Sequence, residues 1–291
     1  MDMSHPSPSV WQQELQDILR GAAGGFLFGI PLLYTVEVWS IGSAAAAPQL
    51  LSVLGATFMV VLLLTQAVGF RRTLRLNPLD AVLESIEAIG IGVVCAAIAL
   101  ILLRRITLGT PLTETLGKLV FEGIPFSLGV ALARSTLTQQ GDRRSESSTA
   151  PPAPPTQLTS ISETLIDLDA TLLGAILIAF SIAPTEEIPI LAAAIPPLWL
   201  LLIMGASLLL SYIIVFASGF ADRQTRRQRG LLLGPTTETL TAYLVSLVAS
   251  VVMLIFFQQL NFQDPWQEWL SNTLVLGLPA SVGGAAGRIL R

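Results

Sequence analysis

Residues 111–134 (PLTETLGKLVFEGIPFSLGVALAR) and 265–288 (PWQEWLSNTLVLGLPASVGGAAGR) align without a gap. At this offset of 154 the pairs Pro111/Pro265, Glu114/Glu268, Leu116/Leu270, Gly123/Gly277, Pro125/Pro279, Ser127/Ser281, Gly129/Gly283, Ala131/Ala285 and Arg134/Arg288 are identical. Composition alone supplies about one or two identities in such a window, so the match reads as an internal repeat. Both copies are apolar enough to enter a bilayer, and the chain reads as two related membrane-embedded halves. Nearby stretches echo one another at an offset of 150 through Gly55/Gly205, Ala56/Ala206, Ala67/Ala217, Gly69/Gly219 and Phe70/Phe220. Gly25 and Gly174 each stand twelve residues before an acid, Glu37 and Glu186.

A mean hydropathy of +0.69, with 52% hydrophobic and 12% charged residues, is too apolar for a water-soluble chain of 291 residues. Eight segments are long enough to span a hydrocarbon core: 21–39, 50–70, 81–103, 116–133, 169–188, 197–220, 238–257 and 270–287. Runs such as LLLIMGASLLLSYIIVF (200–216) lack the alternation that a barrel strand requires. The expected fold is therefore an all-α membrane protein with eight transmembrane helices. Four helices per repeat is an even number, so both repeats start on one face and are parallel, related by a pseudo-two-fold axis along the membrane normal. Residues 1–20 form an N-terminal segment with an interfacial helix, carried on Val10, Trp11, Leu15, Ile18 and Leu19. Residues 21–134 form the first repeat. Residues 135–160, rich in Ser, Thr, Pro and Gln, read as a disordered tether, and 161–291 as the second repeat, led by an interfacial helix through Ile161, Leu165 and Leu168.

Thirteen arginines fall on the side that holds both termini, against Arg104, Arg105 and Lys118 on the other. The positive-inside rule then places both termini in the cytoplasm. The first 20 residues have neither a basic n-region nor a small-residue cleavage site, so no removable signal peptide is expected. Cys95, the single cysteine, excludes an internal disulfide.

Small residues recur every fourth position at Gly21, Gly25 and Gly29, and again at Gly123, Ser127 and Ala131 with their copies from Gly277 onward. Such stripes let helices approach closely in lipid, and where they face lipid they suit a homo-oligomer.

Charged side chains inside a span are costly unless paired or wetted, which makes the acids the candidates for chemistry. Pro184-Thr185-Glu186-Glu187-Ile188-Pro189 closes the fifth segment. Each proline lacks an N–H, so Pro184 and Pro189 are expected to break the helix and release the carbonyls of Phe180 and Thr185 beside two carboxylates, a pattern that suits a cation. Glu37 stands at the matching end of the first segment, after Pro31. Glu122 lies four residues after Lys118, a spacing that would allow an ion pair. Glu186, Glu187, Glu37 and Glu122 are thus the expected ion- or proton-binding residues, converging on one vestibule. Glu84 and Glu87 sit near Arg71, Arg72 and Arg75 and read as surface ion pairs.

Enzyme chemistry is not expected. The only histidine, His5, is in the N-terminal tail, and no nucleotide fingerprint occurs, so no metal, cofactor or nucleic-acid site is anticipated. FEGIPFSLGVALAR (121–134), APTEEIPIL (183–191) and LGLPASVGGAAGR (276–288) resemble an uncharacterised family of bacterial integral membrane proteins, a domain of unknown function. The resemblance covers roughly 20–291 and implies a multi-pass fold in a bacterial cytoplasmic membrane, with no activity attached. The residues themselves point to a cation- or proton-coupled transporter or channel whose partners are lipid and a small cation or proton. The alternative is a non-catalytic membrane scaffold or assembly factor.

Overall fold

A computed structural model describes residues 10–70, 78–147, 160–217 and 235–289. These residues are helical, with no strand among them. In chain order the helices are α1 (Val10–Leu33), α2 (Val36–Ala44), α3 (Ala47–Phe70), α4 (Pro78–Leu102), α5 (Leu112–Ser147), α6 (Ser160–Ile182), α7 (Glu187–Ala193), α8 (Pro197–Tyr212), α9 (Pro235–Phe256) and α10 (Trp266–Ile289). A π-helical turn (Ile213–Ala217) continues α8.

Five of these helices are long and apolar enough to cross a membrane, or up to seven spans if each of two bent pairs counts as one. The described helices thus offer five to seven candidate spans where eight were expected. The first expected segment breaks after Leu33 and turns by 88° into α2; the fifth breaks after Ile182 and turns by 89° into α7. The eighth, α10, forms a helix without being among the five, because its glycines, serine, asparagine and charged ends dilute its apolar content. A helix enclosed by protein has no need to match lipid. Most of α10 is buried, from Leu274 through Ala285 without interruption.

Each half is arranged around one such enclosed helix. In the first, α5 touches α1, α2, α3 and α4; in the second, α10 touches α6, α7, α8 and α9. Prolines 125 and 279 lie inside these two helices. Glycines set the close approaches between helices, the tightest lying between Gly117 of α5 and the Gly42 carbonyl of α2. A Cβ on Gly24 would stand 2.6 Å from the Gly129 carbonyl oxygen, and one on Gly174 only 2.2 Å from that of Gly283. Gly21, Gly25 and Gly29 also face α5, through Val130 and Phe126, whereas Gly123 faces Val93 of α4 and Gly277 faces Leu247 of α9.

The turns after α4 and α9 follow one pattern. Arg104 and Gln258 adopt left-handed backbone with φ of 56° and 60°, a conformation that side chains other than glycine's seldom take. In the first turn the amides of Arg105 and Ile106 close on the Leu100 carbonyl; in the second those of Gln259 and Leu260 close on Leu254. Such closure supplies donors to helix-end carbonyls that would otherwise lack them. The amides of Thr107 and Asn261 then donate to the side chains of Thr110 (3.0 Å) and Asp264 (2.7 Å).

Three expectations about the segments flanking the spans change. The surface helices foreseen before each half are continuous with α1 and α6, since neither Gly nor Pro interrupts 11–20 or 161–173. Helix α5 runs on to Ser147, so residues 135–147, expected as part of a disordered tether, are helical; the proline cluster that stops a helix begins only at Pro151. Residues 148–159 lie outside the described residues. So do 71–77 and 218–234, which carry many of the arginines used for orientation, including Arg71, Arg72 and Arg75.

Candidate functional site

Glu122 has no solvent exposure, and neither of its carboxylate oxygens has a hydrogen-bond partner. It sits on α5 one turn before Phe126, so the two share a helical face. Phe126 fills the space over Gly29 and meets the Phe26 ring edge-on, with centroids 5.8 Å apart. Glu122 therefore turns inward, towards α1 and the protein core. The residue aligned with it in α10, 154 positions on, is Leu276, also fully buried.

The ion pair expected between Lys118 and Glu122 does not form. Lys118 Nζ donates backwards, to Glu114 Oε1 at 2.5 Å and to the Arg105 carbonyl at 2.8 Å. Both i−4 and i+4 carboxylates are within reach of a helical lysine, and the one at the helix start lies beside the additional acceptor of the preceding turn. Arg105 stacks over the Trp39 ring (4.9 Å to the centroid), with Lys118 6.0 Å from the same ring. Burial holds the Arg105 guanidinium below its ordinary pKa.

The other three acids mark the breaks. Glu37 lies in the first turn of α2 and is exposed, as is Glu186 immediately before α7. Glu187 opens α7 half-buried, with Oε2 enclosed and without a partner. Acids at these positions also suit the positive end of a helix dipole. No hydrogen bond or ion pair joins any two of the four acids among the described residues.

The prolines act differently from one another. Pro184 lies in the break itself, where the Thr185 amide and hydroxyl both donate to the Ile182 carbonyl (3.1 and 2.6 Å). Pro189 lies in the first turn of α7, where its missing N–H leaves no helical bond unmade, so it starts that helix rather than breaking one. Pro31 stays inside α1, three residues before the turn at Tyr34.

Two ion pairs tie α5 and α10 to their neighbours. Arg134 Nη2 bonds Glu87 Oε1 at 2.7 Å, linking α5 to α4, and the buried Arg288 pairs with Glu238, linking α10 to α9. Arg71, Arg72 and Arg75, near which Glu87 was expected to form a surface ion pair, lie outside the described residues; among those described, Glu87 pairs with Arg134. The Arg134/Arg288 identity was the available signal, but the partners differ in offset by a few residues and sit on other helices. Between the halves, the Tyr34 hydroxyl donates to the Val275 carbonyl (2.6 Å), and Trp199 Nε1 donates to the Leu102 carbonyl (2.7 Å). Among the described residues no cluster of three or more His, Cys, Asp or Glu is placed to hold a metal ion.

Described residues that are helical throughout, with several helices long and apolar enough to cross a bilayer, are the make-up of an integral membrane protein. The family model described as "Putative integral membrane protein (DUF2391)" matches residues 17–290, and the chain belongs to that family. No curated protein and no solved structure matches it.

Proposed function

We propose that this protein is a proton- or cation-coupled transporter or channel built from two parallel four-helix repeats, and that Glu122 is the carboxylate that takes up the proton or cation. The observation that carries this reading is the pair of partnerless oxygens on a fully buried acid. An ionised carboxyl in such a place costs several kcal/mol, about enough to be removed by selection unless a proton or cation visits it. Leucine at the copied position 276 supports the same view, because the architecture does not need an acid there. Glu187, Glu186 and Glu37, at the breaks, are the entrance of the path in this reading. Broken helices recur where transporters bind ions.

Support for the duplication comes from recurring local structure: bends of 88° and 89° after the first helix of each half, and left-handed residues 104 and 258 in matching turns. With α10 counted as a span, each half crosses four times and both termini lie in the cytoplasm.

The exposure of Glu37 and Glu186 at helix starts favours a second reading, a scaffold whose acids only cap helices. Reconstitution in liposomes with an enclosed pH-sensitive dye and imposed cation gradients separates the two. The transporter reading expects flux that is lost in Glu122→Gln; no flux, or equal flux from the variant, overturns it.

A further inference from the structure

The two halves do not meet symmetrically. Helix α1 of the first half rests on the π-helical turn and α10 of the second, where Tyr34 bonds the Val275 carbonyl, and its Ala23, Ile30 and Tyr34 are buried. If the contact were two-fold, α6 would rest in the same way on the end of α3 and on α5. Instead α6 makes its main contacts with α9 and α10, inside its own half. Gly174 lies against the Gly283 carbonyl as Gly24 lies against that of Gly129, which sets the offset between α1 and α6 at 150 rather than the 149 of Gly25 and Gly174. The residues of α6 at the positions so matched, Leu173, Phe180 and Pro184, are exposed: Phe180 is 53% exposed where Ile30 is 0%. Leu177, between them, is 72% exposed.

The receiving side shows the same imbalance. Ile214 in the π-helical turn and Leu278 in α10, the two elements that α1 meets, are fully buried, whereas their counterparts Leu64 and Ile124 are only half-buried. Of the apolar window of α3, 11% is buried, against 39% for its counterpart α8. The Trp199–Leu102 bond between the halves has as its counterpart Gln49 and Phe256, both exposed. One face is thus used once and left open once, on each side.

A contact between unlike faces of related units is head-to-tail, and repeated from copy to copy it closes into a ring when the rotation between units divides a full turn. We infer that the open face of α6 docks onto the open face of α3 and α5 in a second copy of this chain, repeating between copies the contact that α1 makes within one. The inference rests on the duplicated reading of the chain. It selects a second copy over lipid because each open face matches a face that is already filled by protein within the same molecule. Both halves cross in the same sense under that reading, so the ring axis lies along the membrane normal.

The test uses full-length chains in membranes with Cys95→Ala as background, one carrying Gln49→Cys and one tag, the other Phe256→Cys and a second tag. A short bifunctional thiol reagent should give a product bearing both tags. A control chain carries Leu102→Cys and Trp199→Cys with a protease site placed within 148–159, and its halves should stay joined after cleavage. Products joining like variants, or no joined product while the control succeeds, overturn the docking and leave the duplication standing. Failure of the control as well overturns the placement of the halves and the inference with it. Native mass spectrometry of the unmodified protein should show two or more copies, and monomer alone contradicts the ring.

Discussion

Gly174→Ala should destabilise the protein, whereas Gly205→Ala should not. A Cβ at Gly174 would stand 2.2 Å from the Gly283 carbonyl oxygen and 3.1 Å from the Gly287 Cα. Ordinary contact begins at 3.4 Å, so α6 and α10 would have to part by about 1.2 Å along a line of backbone, which cannot swing aside as a side chain can. Overpacking of this kind costs about 1–3 kcal/mol. At Gly205 a Cβ meets nothing within 4 Å, so alanine there should gain the helix-propensity difference of about 0.5–1 kcal/mol. In a chain of this size each kcal/mol moves Tm by about 2 °C. The expected outcome is a fall of roughly 2–6 °C for Gly174→Ala and a rise of about 1–2 °C for Gly205→Ala. Cys95, buried in the core, makes the assay internal: a thiol-reactive fluorophore in detergent reports its exposure on heating. Equal melting temperatures for the two variants would refute the close crossing of α6 and α10.

Other substitutions probe the site and its supports. Glu122→Leu should raise Tm, by the equivalent of about 1–3 kcal/mol, while abolishing flux, since it removes a buried acid at a position whose aligned residue in α10 is already leucine; a lower Tm would show the carboxyl to be structural. Glu238→Gln should cost about 3 kcal/mol, because it leaves the buried Arg288 charge without its carboxylate, whereas Glu87→Gln at the more exposed pair should cost under about 1 kcal/mol. Thermal melts of the two would rank equally if the depth of the pairs did not matter. Tyr34→Phe should lose about 1 kcal/mol by unpairing the Val275 carbonyl at the junction of the halves, and an unchanged melt would argue against that bond.

The helical membrane architecture was legible because apolar runs and the repeated Gly, Pro and Arg positions are properties of short stretches. The bends were half legible. Pro31 and Pro184 announce a break, yet nothing local to the sequence says whether a helix resumes straight or turns aside, since packing against α5 and α10 decides that. The closest glycine in α1 proved to be Gly24, one position from Gly25; the offset of 150 that aligns Gly55 with Gly205 also aligns Gly24 with Gly174. Lys118 shows the limit of spacing arguments. Glu114 and Glu122 are equally distant along the helix, and the Arg105 carbonyl, which belongs to the preceding turn, decides between them. Burial of Glu122 against exposure of Glu37 and Glu186 follows from which helices are enclosed, a property of the assembled bundle.

Labelling with a hydrophobic carbodiimide, which reacts with carboxyl groups inside membranes, tests most directly whether a proton or cation reaches the enclosed acid. Mass spectrometry of native membranes treated in this way should find Glu122 modified, and a cation that the protein carries should slow that modification. An unmodified Glu122 beside modified Glu37 and Glu186 would contradict the account.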